Sequence, residues 1–423
     1  MKNPLPIATL GDLVTLQTDK IVVNKDPRLP YIGLEHIAQG SPRLLGIADS
    51  GSSVSTNSVF AKNDILFGKL RPNLRKSLRA AFAGYCSTDI LVLRCIEGVD
   101  PAFAGHVFQW EPVFAAASAT AAGTKMPRTS WNELRGFRVF KPSTAEQSRI
   151  AAVLDTVDEA IAKTEAVIAK LKQVRAGLLH DLLTRGLDEN GQLRDPIARP
   201  EQFQDSPIGR IPGDWDFESL GTRLQRNTGI IQTGPFGSQL HAHEYTMDGV
   251  PVVMPQDILE GSFDDTRIAR ISTIRAKELQ RHFLRLGDLI FARRGDLSRC
   301  SVVTKNEVGW LCGTGCLLMK FEQITLSPFW LSFAYRHDFG QRQIAARAVG
   351  TTMVNLNTTL LAHLAFAFPT IEEQEQIVKR VANADVLIQT ESANFTKLNL
   401  LKSALMADLL TGRVRVPVDL EFG

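Results

Sequence analysis

The sequence predicts an α+β protein written twice: two globular domains, and two long helices that pair as an antiparallel coiled coil, the halves related by an approximate two-fold axis. Residues 146–184 and 373–411 align without a gap at an offset of 227. Both stretches carry a sustained heptad pattern, and both follow a region of short β-like runs broken by turn residues. A repeat of this length duplicates a whole folding unit.

The expected order follows from this pattern. At 423 residues the chain exceeds one ordinary core. Residues 1–144 form the first globular domain, 145–186 the first helix, and 187–208 a linker. Residues 209–370 form the second domain, 371–413 the second helix, and 414–423 a tail. Ile65-Leu66-Phe67 and Leu289-Ile290-Phe291 read as equivalent buried strands, as do Ile90-Leu91-Val92-Leu93 and Cys316-Leu317-Leu318-Met319. Between the halves, residues 186–215 are rich in Gly, Pro and Asp. They read as a linker long enough to give the second domain its own position.

The first heptad frame is Ile150, Leu154, Val157, Ile161, Thr164, Ile168, Leu171, Arg175, Leu178 and Leu182. The second is Ile377, Val381, Ala384, Ile388, Glu391, Phe395, Leu398, Lys402, Leu405 and Leu409. Spacing alternates between four and three, which places these side chains on one helix face. Polar positions coincide, Thr164 with Glu391 and Arg175 with Lys402. Such polar positions can fix register, the alternative being that Arg175 and Lys402 snorkel at the seam edge. Each helix would be about 60 Å long at about 1.5 Å per residue, and an antiparallel pair makes a ruler with one domain at each end.

The net charge of +3 is unevenly spread. By region it is +6 over 1–144, −3 over 145–208, +2 over 209–370 and −2 over 371–423. Basic domains and acidic helices suit a polyanion for the former and protein for the latter. The N-terminus lacks signal-peptide character and no apolar run reaches membrane-spanning length, so a cytoplasmic protein with no membrane partner is expected. The odd count of five cysteines fits reduced thiols on buried strands better than a zinc site.

Strand ends lead into the basic loops KLRPNLRK (69–76) and RRGDLSRC (293–300). Lys69, Arg71, Arg75 and Lys76 in the first, with Arg293, Arg294 and Arg299 in the second, are candidate contacts to phosphates or base edges. The polar loops GTKMPRTSW (123–131) and GTTMVNLN (350–357) add Lys125, Arg128, Thr352 and Asn355, whereas Met126 and Met353 read as core. His241 and His243 lie in a Gly-rich segment (233–245) that reads as a turn facing nucleic acid, not as a metal site with Glu244. Phosphate-loop, dinucleotide, amino-methyltransferase, nuclease and zinc-protease signatures are all missing. No catalytic residue and no metal site is expected.

Taken in order, the motifs resemble the specificity (S) subunits of type I restriction–modification systems. They are the duplicated EQxxI helices ending in DLLT, IGRIPGDW (208–215), GPFGSQL (234–240), DILFGKLRPNLRK (64–76) and GDLIFARRGDLSRC (287–300). The resemblance implies two target-recognition domains that read the halves of a bipartite, asymmetric site in double-stranded DNA. It implies helices that set the unread gap and bind two modification subunits, which methylate adenine with S-adenosylmethionine. Restriction subunits, using ATP and Mg, would join that core, while the chain itself would hold no cofactor. Two rivals stay open: the recognition half of a single-chain methylating enzyme, and an adaptor whose domains bind proteins.

Overall fold

A computed structural model describes residues 5–22, 29–49, 56–236, 239–348 and 355–416. The fold is mixed α+β. Two helices dominate it, α1 (Thr144–Thr184) and α2 (Ile371–Leu409). The chain divides into two compact units: Met1–Ile168 with Glu391–Gly423, and Ala169–Thr390.

The first unit is centred on an antiparallel sheet of β1 (Val14–Leu16), β2 (Ile65–Gly68), β3 (Ser77–Arg79) and β4 (Ile90–Cys95), in the order β1-β4-β2-β3. Strand β2 and the first four residues of β4 are apolar because both of their faces are covered. Side chains alternate across the sheet. Ile65, Phe67, Leu91 and Leu93 enter a core with the helices Pro101–Val107 and Glu111–Ala119 and with Ile150 and Leu154 of α1. Leu66, Ile90 and Val92 point the other way, onto Ile32, Phe60 and Cys86 of a second, five-stranded sheet. Fully burying one such side chain is worth roughly 1.5–3 kcal/mol.

The second unit repeats this plan. β5 (Ile230–Thr233), β6 (Leu289–Ala292), β7 (Cys300–Val302) and β8 (Cys316–Lys320) lie in the matching order β5-β8-β6-β7. Leu289, Phe291, Leu317 and Met319 face the helix Pro328–Arg336 and the long helices, while Ile290, Ala292, Cys316 and Leu318 face Val253 of the neighbouring sheet. Both neighbouring sheets contain one parallel strand pair, Tyr31 beside Tyr85 and Val252 beside Leu311. The cysteines fall on these buried strands: Cys86, Cys300, Cys312 and Cys316 are buried free thiols and Cys95 is half-buried. Burial pushes the Cys86 and Cys300 thiols up to about 12.

All twenty heptad-frame positions are buried or half-buried. In the first unit Ile150 and Leu154 share a core with Met406, Leu409 and Leu410, and Asp158 pairs with Lys402 at 2.6 Å. In the second, Leu182 and Leu183 share a core with Ile377 and Val381, and Arg175 pairs with Asp385. Asp158 and Asp385 are themselves 227 apart, as are Arg175 and Lys402. Arg175 and Lys402 are therefore ion-paired by repeat-related aspartates instead of snorkelling to water.

The repeated Glu-Gln dipeptide joins each helix to its domain. Gln147 accepts from the Asp100 amide and donates to Pro142 O; Gln374 accepts from the Ser327 amide and donates to Pro369 O. Asp100 and Ser327 are the N-caps of equivalent helices. Glu373 accepts from Leu187 N (2.6 Å), Arg194 (2.9 Å) and Trp215 Nε1 (3.0 Å), all nearly buried. Glu146 accepts from Arg415, which holds its carboxyl below the usual range. Each helix thus begins on a glutamate gripped by an arginine from the segment that follows the other helix.

That grip corrects the linker expectation. Residues 186–215 fold onto the start of α2, through Arg194 and Trp215 and through Arg380 donating to Gly191 O. They include a hairpin of Phe203–Ser206 with Gly209–Pro212. Gly186, at a φ of 64°, lies so close that a Cβ would stand 2.4 Å from Glu373 Oε1. Turn-rich composition here builds a compact dock, not a tether.

Candidate functional site

The two basic loops leave β2 and β6 at equivalent points. Lys69 donates its amide to Asp89 O and accepts from Thr129 N; Arg293 donates to Gly315 O and accepts from Leu356 N. These partners are offset by 226 and 227 residues. The same junction of three chain segments therefore presents a basic residue in each unit.

Beyond that junction the candidates separate into committed and free side chains. Lys76 donates to Leu34 O at 2.6 Å, and Arg299 donates to Pro255 O, Gln256 O and Ile258 O at 3.1–3.4 Å. Both brace the short 3-10 turn that begins the same loop in its own unit, Leu34–His36 or Pro255–Asp257. Arg128 forms a bidentate pair with Asp89, at 2.9 and 3.3 Å. Arg293 donates to Asn355 Oδ1 and Leu356 O and lies 5.9 Å from the Phe236 ring centre. Asn355 is exposed and spends one acceptor on this contact.

Arg71, Arg75, Lys125 and Arg294 are exposed and Lys69 is half-exposed. Arg75 reaches over Phe114, 6.0 Å from the ring centre. It also lines a polar cavity of about 230 Å³ shared with Asp158 and Lys402. Arg71 makes one long contact, 3.5 Å to Lys125 O. Arg294 forms no side-chain hydrogen bond or ion pair to another described residue.

His241 and His243 are exposed and stack on each other, with ring centres 5.5 Å apart. Glu244 accepts from the His241 amide and pairs with Arg275, so it is not turned toward the imidazoles as a ligand. No group of three metal-capable side chains occurs among the described residues. Met126 is 48 % exposed, which corrects its assignment to the core: the Ala122–Arg128 bridge lifts the intervening residues off the domain. Thr352 and Met353, like Gly237 and Ser238 of the Gly-rich segment, lie outside the described residues.

Sequence reading missed the partners Asp158, Asp385, Asp89, Arg194 and Trp215. For the first two the signal was available, because two aspartates at the repeat offset sit next to the heptad frame. The others are joined only by long-range folding.

A duplicated α+β chain with matched basic loops on two similar domains is the class of protein these observations define. No protein-family model matches the chain. It is 22% identical, over 97% of its own length and 93% of the other's, to the type I restriction enzyme MjaVIII specificity subunit of Methanocaldococcus jannaschii. With the MjaX specificity subunit of the same organism it shares 27% identity over 50% of this chain and 49% of that one. With the EcoBI specificity subunit of Escherichia coli it shares 23% over 71% and 63%. The chain thus spans about half of MjaX and under two thirds of EcoBI.

Two solved structures have the same fold. One comes from work on complex assembly and conformational transition of the type I restriction–modification system (TM-score 0.60, 18% identity, 97% of this chain and 100% of that one). The other is the type I S subunit from M. genitalium (TM-score 0.56, 16% identity, 97% of each). The chain resembles the specificity subunits of type I restriction enzymes. No helix among the described residues is long and apolar enough to cross a membrane.

Proposed function

We propose that this chain is the DNA-recognition subunit of a type I restriction–modification complex, reading a bipartite asymmetric site and catalysing nothing itself. The observation that carries the proposal is the duplicated sheet order with a basic loop at the same junction in each unit. Two copies of one reader, differing in loop chemistry, suit a site with two different halves. Residues 1–144 and 209–370 are the two recognition domains. Half-exposed Lys69 and exposed Arg71, Arg75, Lys125 and Arg294, with the Arg293–Asn355 pair, supply the contacts to double-stranded DNA. Thr352 is retained as a candidate on its sequence position.

The long helices (145–186 and 371–413) form an antiparallel coiled coil that spaces the domains. Support comes from the ion pairs Asp158–Lys402 and Arg175–Asp385, in which early residues of one helix meet late residues of the other. Along the same helices Val167, Val174, Val386, Leu387, Leu400 and Leu401 are exposed apolar side chains. Uncovered apolar surface on a helix suits a protein partner. Two modification subunits, methylating adenine with S-adenosylmethionine, would dock there, joined by restriction subunits that use ATP and Mg. The complex would work in the cytoplasm.

The test is adenine-methylation mapping in a methylation-free host that expresses the cognate modification subunit with and without this chain. A split motif with one modified adenine on each strand, present only with this chain, is expected. A soluble complex that leaves no methylation would overturn the proposal in favour of a protein-binding scaffold.

A further inference from the structure

The two units are each other's control, and one position separates them. Residue 71 follows β2 as residue 295 follows β6, and each is the third residue beyond its strand. In the second unit this position is Gly295, at a φ of 76°. A Cβ added there would meet nothing within 4 Å, so the backbone angle alone favours glycine. In the first unit the left-handed position holds Arg71, at a φ of 49°. Four residues on, Arg75 is also left-handed, at 53°. These are two of only four non-glycine residues with positive φ among those described.

Arginine gains nothing locally from this conformation. The turn is held by the backbone, with Arg71 N donating to Pro127 O and Leu74 N donating to Arg71 O. Glycine could make both bonds without the steric cost of a Cβ. The guanidinium is exposed and spends one of its five donors on a 3.5 Å contact. It has no acidic partner among the described residues. Two neighbouring basic side chains are tied down instead, Lys76 to Leu34 O and Arg128 to Asp89. A strained residue with an unspent polar head is the pattern found where strain is kept for function.

We infer that Arg71 is a specific DNA-contacting residue of the first domain, its side chain held outward by a left-handed turn that the second domain builds with Gly295. The inference rests on the DNA-reading proposal and narrows it to one side chain. Free in-plane donors suit paired acceptors, as on a phosphate or the guanine edge.

The test uses the full chain assembled with its modification subunits and a fluorescently labelled duplex carrying the motif recovered by methylation mapping. Arg71→Gly removes the side chain and the strain together; Arg71→Asn removes the charge but tolerates the left-handed turn. For both variants we expect affinity to fall about 10-fold or more. We expect the thermal midpoint of Arg71→Gly to match the wild type or to rise by roughly 1–3 °C. Affinity within two-fold of wild type for both variants, while the wild type binds, overturns the inference alone. Lost affinity accompanied by a lowered midpoint also overturns it, because the side chain would then be holding the fold. A wild-type complex that binds no duplex retires the DNA-reading proposal itself.

Discussion

Glu373 is the side chain on which the start of α2 depends, and replacing it gives a calculable result. Its carboxylate is buried and accepts from Leu187 N, Arg194 and Trp215 Nε1. In Glu373→Ala the Leu187 amide and the Trp215 indole lose their acceptor, at about 1–3 kcal/mol each. Arg194 keeps Asp214 at 2.7 Å and Arg185 O at 3.4 Å, so its charge is not abandoned. The two donors together cost about 2–6 kcal/mol, a range centred on the roughly 3–5 kcal/mol usual for breaking a buried pair, which is the expected cost. Glu373→Gln retains an oxygen for two of the donors but opposes its NH₂ to one of them, at about 1.5–3 kcal/mol. Amide hydrogen exchange over residues 185–195 reads this locally, without assuming that the whole chain unfolds in one step. Exchange should accelerate on the order of 100-fold or more in the alanine variant. Glu146→Gln, whose partner Arg415 is 55% exposed, should cost only about 1 kcal/mol. Equal effects at both glutamates, or less than about a three-fold acceleration in Glu373→Ala, would refute the claim that burial of the pair sets the difference.

The remaining predictions concern the seam, pH and the thiols. Asp385→Arg places a second guanidinium beside Arg175 and should lower the thermal midpoint by a few degrees; adding Arg175→Asp should restore most of the loss, and a failed rescue would count against a direct pair. Because Arg415 holds the Glu146 carboxyl below its ordinary value of 4.5, its contribution is present above that value and lost as pH falls through the lowered one. Exchange over residues 411–416 should rise on acidification below about pH 4.5 in the wild type, and Glu146→Gln should flatten that rise. Cys300, Cys312 and Cys316 should resist alkylation at pH 8 in the folded chain and react once it is unfolded, because the reagent cannot reach buried sulfurs and burial also pushes the Cys300 and Cys316 thiols up. Mass spectrometry of the alkylated chain checks this, and rapid native labelling would contradict their burial.

What the sequence makes legible is what repeats locally. The heptad frames, the Glu-Gln starts and the buried strands recur at fixed offsets or fixed periods, so each can be read within a short window. The basic loops were legible as loops, but not the fate of each side chain. Lys76 and Arg299 look like free cations in the sequence. Folding carries them to carbonyls some 40 residues away, where they brace 3-10 turns. Arg128 likewise finds Asp89 only through packing. The segment 186–215 has the composition of a tether, yet Arg194 and Trp215 anchor it to a glutamate more than 150 residues downstream. Long-range polar pairing has no period, and the strain at Arg71 is a property of backbone angle that no residue pattern announces.

The central claim is that the two halves are equivalent reading modules on equivalent joints. It is tested most directly by replacing residues 216–368 with a second copy of residues 7–140, which keeps the α2 start at Glu373-Gln374. Methylation mapping of this chain with its modification subunit should return a symmetric motif, with both halves matching one half of the wild-type site. An unchanged asymmetric motif from a soluble, methylating complex would contradict the account, because recognition would then lie outside the exchanged residues.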